Sequence, residues 1–132
     1  MTFHLQIVTP DGVSFDGQAE RLDVRTQQGD IGILPNHIDY VAALGMGQAR
    51  VVVDGEIKKA ACIGGMVSVS GGEVKLVATT FEWAEEIDVE RAKAAENRAR
   101  KMLEEGNASD SELRLAEARL KRALVRQSVG KR

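Results

Sequence analysis

The sequence predicts an α+β chain. An N-terminal antiparallel β-sandwich of about ten strands occupies residues 1–84, and a C-terminal antiparallel two-helix hairpin occupies 85–132. Three observations carry this reading. Both prolines, Pro10 and Pro35, and eleven of the thirteen glycines precede residue 73. Short apolar runs before residue 84 are broken by turn signals every eight to twelve residues or less. Beyond residue 84 the composition turns to Ala, Glu, Lys, Arg and Leu. Glycine and proline punctuate turns, whereas the second set are strong helix formers.

Taken in order, Phe3, Leu5 and Ile7 alternate with His4 and Gln6, and Pro10-Asp11-Gly12 then turns the chain. Arg21-Leu22-Asp23-Val24-Arg25 alternates strictly, placing Leu22 and Val24 on one face of a strand and three charges on the other. Asp54-Gly55 between residues 50–53 and 56–63 is a hairpin signal, and Gly71-Gly72 joins 66–70 to 73–80 in the same way. Many short strands joined by tight turns favour a sandwich or flattened barrel. In the second part, Asp88 is a good N-cap before Val89. Ala92, Ala95, Ala99 and Met102 recur at three- and four-residue steps as a narrow small-residue face. Gly106-Asn107 stops this helix, and Ser109-x-x-Glu112 is a capping box for the next, where Leu113, Ala116, Leu120 and Ala123 form the matching stripe. Two helices so closely joined run antiparallel, and alanines let them approach. The tail from Ser128 is expected to fray.

The whole chain carries 18 basic and 20 acidic side chains, so bulk charge argues neither for nor against a nucleic-acid partner. The average hides an asymmetry. Residues 1–84 hold six Lys or Arg against ten Asp or Glu, while the stretch from Leu113 holds seven basic side chains against one acid, Glu117. Such a basic end can meet nucleic acid, an anionic membrane or an acidic protein surface. Cys62 is the single cysteine, which excludes an internal disulfide and suits a reducing compartment; its apolar neighbours predict a buried, inert thiol. No apolar run approaches the ~18 residues of a membrane helix, and no signal-like segment opens the chain. The expectation is a cytosolic protein that reaches a membrane only through partners.

Catalysis has little support. His4 reads as an edge or surface residue, and His37 follows Pro35-Asn36 in a loop. A single loop histidine is no triad, and neither has a metal-ligand partner at a useful spacing. Gly64-Gly65 lacks the following residues of a P-loop. The helix arginines say more. Arg91 and Arg98 stand seven residues apart on nearly one face, and Arg122 and Arg126 are one turn apart. Like charges at that spacing repel unless a polyanion is held between them, since guanidinium forks match phosphate oxygens. From spacing alone, a solvated basic face salted by Glu90, Glu96 and Glu117 is the favoured alternative.

Two stretches together resemble one family. Gly29-Asp30-Ile31-Gly32-Ile33-Leu34-Pro35-Asn36-His37 resembles the loop-and-strand signature of the epsilon subunits of bacterial F-type ATP synthases, and Ile87-Asp88-Val89-Glu90-Arg91-Ala92 is similar to their I/L-D-x-x-R-A motif. The opening Val8-Thr9-Pro10-Asp11-Gly12, the Gly64-Gly65 pair and Leu120-Lys121-Arg122-Ala123 fit in order, so the resemblance covers essentially the whole chain. It implies a non-catalytic rotor subunit of the proton-translocating synthase. The sandwich would grip the gamma subunit and the ring of c subunits, at the cytoplasmic face of the plasma membrane. It also implies a mobile hairpin that rests folded down or extends into the catalytic head and blocks ATP hydrolysis. The basic run Arg114, Arg119, Lys121, Arg122 and Arg126 would then face the catalytic beta subunits, beside alpha, and Ile31, Leu34 and His37 would contribute to the rotor-facing surface.

In several members the folded hairpin binds ATP as a regulatory ligand; no cofactor is required. The resemblance carries that site onto Glu82, Ile87, Asp88, Arg91, Ala92, Arg98, Arg122 and Arg126. Asp88 and Ala92 have structural reasons of their own, an N-cap and interface packing. Three positions depart from the pattern: Asn36 stands where glycine is common, Met66 where an aromatic is common, and Trp83 beside Glu82 could crowd or stack on an adenine. Competing readings are a freestanding nucleotide- or RNA-binding module using the basic helix, and an enzyme on a β-sandwich. Only five aromatics exist and none interleaves the basic run, which argues against nucleic acid.

Overall fold

Alternation decides the first strands. In the computed structural model, which describes residues 1–130, Phe3, Leu5 and Ile7 of β1 (Phe3–Thr9) are buried while His4, Gln6 and Val8 are only partly covered. The chain turns into β2 (Gly12–Ala19), antiparallel to β1 with a bulge where Ile7 pairs Phe15 but Val8 pairs Val13. Strands β3 (Arg21–Thr26) and β4 (Gly29–Ile33) form a hairpin, with Leu22, Val24 and Ile33 buried. Then come β5 (Tyr40–Ala43), β6 (Met46–Val53), β7 (Glu56–Ser70) and β8 (Glu73–Trp83). Asp54-Gly55 and Gly71-Gly72 both turn with positive φ, at 51° and 79° and at 57° and 82°, the backbone that tight two-residue hairpins need.

The hydrogen-bonded order is β2-β1-β8-β7-β6-β3-β4, with β5 on β7, and the β1–β8 pair is parallel. Among the described residues, eight strands stand where about ten are expected. The difference has a physical cause. The runs 56–63 and 66–70 read as separate strands, yet β7 carries both in one 15-residue strand, passing through Gly64 and Gly65 at φ 69° and 112°. Its first half pairs with β6 and its second with β5, while β8 follows it through the bend. A Cβ on Gly65 would collide with the Val77 carbonyl oxygen and lie 2.8 Å from the Ala78 Cα, so the close approach of β7 and β8 there requires glycine. The folded sheet closes over one core in which Leu5, Ile7, Leu22, Ile33 and Leu76 are fully buried.

The chain divides into two compact units, Met1–Trp83 and Ala84–Arg132. The second opens with a 3-10 turn (Ala84–Glu86) and contains α1 (Val89–Glu105) and α2 (Asp110–Gly130). Asp88 caps α1: its Oδ1 accepts from the Arg91 N–H at 3.0 Å and its carbonyl from Ala92 at 3.0 Å. Gly106 ends the helix in the left-handed region at φ 69°. Ser109 starts α2, with its Oγ accepting from the Glu112 N–H at 3.3 Å and donating to Glu112 Oε1 at 3.0 Å. Ala92, Ala99, Ala116 and Ala123 are buried and form the small-residue interface. Met102, expected in that stripe, is exposed; it lies beyond the last buried alanine of α1, in the turn that Gly106 terminates. The expected fraying from Ser128 is not observed within the described residues: α2 continues to Gly130, and Val129 and Gly130 are buried.

Candidate functional site

Two surfaces carry the sequence-singled residues, one in each unit. On the sandwich, residues alternating with the core lie in cross-strand rows. Ala43 pairs Met66, Met66 pairs Val77, Val77 pairs Val8 and Val8 pairs Val13. An apolar row thus crosses five strands on the outer face, with Val13, Met66 and Val77 exposed by 62%, 51% and 45%. Its neighbouring row starts at exposed Val41 on β5 and is polar beyond it, through Ser68, Lys75, Gln6 and Asp16. A contiguous exposed stripe of this kind marks a protein contact far better than scattered exposed side chains. No sequence periodicity announces it, because it depends on the register of non-consecutive strands.

The segment 29–37 is structured around close packing of charge. Arg25 holds Asp30 in a two-pronged pair, with Nε–Oδ1 at 2.8 Å and Nη2–Oδ2 at 3.1 Å, and this keeps the Asp30 carboxyl below the usual carboxylate range. Arg21 Nε donates to Asp23 Oδ1 at 2.8 Å. A Cβ on Gly32 would lie 2.9 Å from both Arg21 Nη2 and Asp23 Oδ1, so the ion pair lies across this glycine. A shallow groove of about 450 Å³ follows, lined by Arg21, Asp23, Asp30, Gln48 and Arg50 among others. Ile31 is half-buried against the core, whereas Leu34 is exposed by half. His37 stacks edge-on with Tyr40 at 5.9 Å and its Nδ1 donates to the Ile38 carbonyl at 2.7 Å. Asn36 has φ 67°, a conformation that asparagine tolerates better than most residues, which accounts for its standing where glycine is common.

At the end of β8, Glu82 pairs in register with Ala61. The Trp83 ring meets Phe81 edge-on at 4.9 Å and Phe15 at 6.4 Å, with Lys58 Nζ 5.8 Å from its centroid. Its surroundings are those of a side chain fastened to the core. His4 sits between two carboxylates, Nε2 to Asp16 and Nδ1 to Glu73, each at 2.6 Å. Asp16 first and Glu73 second raise its pKa, and the three side chains tie β1 to both of its neighbours. Cys62 is buried, and desolvation pushes its thiol up to about 12, so it carries no thiolate near neutral pH.

In the hairpin, Ile87 is buried, and Asp88, Arg91 and Ala92 share the first turn of α1. Arg91 and Arg98 are exposed, Arg122 and Arg126 half-buried. Arg122 Nε lies 3.4 Å from the Ala118 carbonyl. The helices are linked by Gln127 Nε2 donating to Glu96 Oε1 at 2.8 Å, while Arg100 Nε holds Glu96 Oε2 at 2.7 Å. Gln127, and after it Arg100, hold the Glu96 carboxyl below its ordinary pKa. The close approach of Gly130 to Ile87 and Val89 sets the level of the two antiparallel helices, and Arg126, one turn earlier in α2, stands level with the first turn of α1 that carries Arg91. Arg114, Arg119 and Lys121 are exposed on α2. Sequence reading assigned Glu96 only to a salted basic face; its interhelical role depends on Gln127, 31 residues away.

Two family profiles divide the chain between them. The one described as ATP synthase, Delta/Epsilon chain, beta-sandwich domain matches residues 2–84, and the one described as the long alpha-helix domain of the same chain matches 85–129. The chain belongs to the ATP synthase delta/epsilon family. Within that family it is 43% identical over 128 residues to the ATP synthase epsilon chain of Bacillus velezensis, covering 97% of this chain and 96% of that one. It is 37% identical over 131 residues to the epsilon chain of Halalkalibacterium halodurans, covering 99% and 98%. Among solved structures, a chain in the Euglena gracilis mitochondrial ATP synthase (OSCP/F1/c-ring) has a TM-score of 0.84 at 22% identity, covering 96% of this chain and 80% of that one. That likeness is one of fold.

Proposed function

We propose that this chain is a non-catalytic central-stalk subunit of a bacterial proton-translocating ATP synthase, docking on the rotor through its sandwich and restraining ATP hydrolysis through its hairpin. The observation that carries the first half is the apolar row Ala43–Met66–Val77–Val8–Val13. Burying such a row against a partner gains roughly 25 cal/mol per Å² of apolar area removed from water. The partner of the sandwich is the gamma subunit, with the c-subunit ring meeting the segment around Leu34 and His37. As a subunit held by the complex, the chain would sit on the cytoplasmic face of the membrane. No helix among the described residues is long and apolar enough to cross a membrane.

The hairpin half of the proposal rests on its arginines. Exposed Arg114, Arg119 and Lys121 suit an acidic surface of the alpha and beta subunits in the extended state. ATP is the regulatory ligand of the folded state, with Arg91, Arg98, Arg122 and Arg126 matching its phosphates. The level of Arg126 beside the first turn of α1, where Arg91 stands, supports this. ATP can select the folded state only by binding it more tightly than the extended one, and moving a 1:99 equilibrium to 99:1 takes about 5.5 kcal/mol. The deciding experiment is association of the chain with purified gamma subunit. Wild type is expected to co-elute at micromolar concentration and to lower the ATPase rate of the assembled head; Met66→Glu with Val77→Glu loses association at least tenfold while far-UV spectra stay unchanged. A wild-type chain that stays apart from gamma removes the reading.

A further inference from the structure

The last turn of α2 is built around a missing side chain. A Cβ on Gly130 would lie 2.9 Å from Val89 Cγ2, 3.0 Å from Ile87 Cγ2 and 3.2 Å from Ile87 Cβ. Both neighbours are β-branched and stiff at χ1, so neither can swing aside at low cost. Ile87 directly precedes the N-cap Asp88 and Val89 is the first residue of α1, so Gly130 closes the end of the hairpin opposite the Gly106–Ser109 turn. Between that end and the turn stands the second tie, Glu96 to Gln127 at 2.8 Å.

We infer that Gly130 is a steric latch: the absence of its Cβ lets the end of α2 seat on Ile87 and Val89 and holds the open end of the hairpin shut without any ligand. A helical glycine is ordinarily a liability relative to alanine. Here it is the condition for closure. An anion bound by the helix arginines would then strengthen a closure that already exists, and the balance between folded and extended hairpin would be set partly at residue 130. That regulatory consequence rests on the proposed function; the latch itself does not.

The test is amide hydrogen exchange, read by mass spectrometry, on the full chain alone, with no nucleotide and no partner. Gly130→Ala is expected to speed exchange in the first turns of α1 roughly tenfold through overpacking. The turn at 106–109 and the sandwich strands should keep their wild-type rates. Ordinary helix propensity makes the opposite prediction, since alanine for glycine would slow exchange at the end of α2 by up to about fivefold. Slowed or unchanged exchange overturns the latch, as does acceleration spread equally over the sandwich. Val89→Ala provides the second arm by removing the nearest methyl. In that background Gly130→Ala should cost markedly less than in wild type, and an undiminished effect overturns the assignment of the contact. Gamma binding and ATP binding enter neither arm, so failure of the latch and failure of the rotor reading are separable.

Discussion

The two units are stabilised in different ways. The sandwich fills its interior with large side chains, among them Leu5, Ile7, Leu22 and Leu76, and joins strands far apart in sequence, such as β1 to β8. The hairpin buries alanines, Ala92, Ala99, Ala116 and Ala123, between two neighbouring helices. A buried leucine is worth several times a buried methyl, at roughly 0.8 kcal/mol for each carbon removed from water. The consequence is a rigid body joined to an element whose closure depends on close approach and a few polar ties. Units of low local stability are those that open at small cost, and a moving regulatory element has to be drawn from them. The comparison therefore links composition to the proposed function: the part proposed to dock is overdetermined, and the part proposed to move is not.

The largest effect expected from breaking this contrast is at Gly65. Alanine there meets the Val77 carbonyl and the Ala78 backbone in a conformation at φ 112° that L side chains rarely adopt. Neither backbone group can rotate away, so β7 and β8 must separate where both pass from one half of the sandwich to the other. Gly65→Ala should cost at least ~3 kcal/mol of global stability, measured by denaturant melts of Trp83 fluorescence. If the variant melts within ~0.5 kcal/mol of wild type, the bend is not the rigid element described.

A smaller effect sharpens the contrast from the other side. Asp88 caps α1 through a single side-chain bond to the Arg91 N–H. Asp88→Ala should cost the helix about 1 kcal/mol. In a rigid body that cost would appear as a lower global stability. In the hairpin it should appear as faster local exchange in the first turn of α1, with the sandwich melt unmoved. Equal losses in both readouts would mean that the units unfold as one.

How much of this was legible in the sequence divides along the same line. The hairpin is readable nearly to the residue, because helix caps and small-residue stripes are local signals: Asp88 and Ser109 make the bonds expected of them, and Gly106 takes the left-handed backbone that ends α1. Met102 was misplaced because periodicity does not mark where an interface stops. Strand existence in the sandwich was equally local, but not strand identity, since Gly64-Gly65 reads as an interruption and is a bend within β7. The family motifs pointed to the segment 29–37, whereas the apolar row came from pairings such as Val8 with Val77, separated by 69 residues, which no local pattern encodes. Gly130 is silent in the sequence for a similar reason, because its meaning lies in Ile87 and Val89 across the hairpin.

The smallest effects expected are two titrations of opposite sign, one in each unit. In the sandwich, Asp16 and Glu73 raise the His4 pKa above its ordinary 6.5. The imidazolium clip is fully formed below that value and is lost as pH rises through the higher folded pKa, so alkaline conditions loosen the hold of β1 on β2 and β8. In the hairpin, Gln127 and Arg100 hold the Glu96 pKa below its ordinary 4.5. That tie is fully present above 4.5 and is lost as pH falls through the lower folded value, so acid loosens the helices. His4 and both its partners are substantially exposed, so solvent screening keeps the first effect small; the better covered Glu96, at 18% side-chain exposure, should give the sharper response. Thermal melts across pH should show Trp83 fluorescence midpoints drifting down on the alkaline side and the far-UV helix signal weakening first on the acid side. His4→Gln should flatten the alkaline drift alone, and Glu96→Gln, which keeps an acceptor for Gln127 but has no charge to lose, should flatten the acid one alone. If either substitution removes both responses, the two units share one titration and the contrast between them fails.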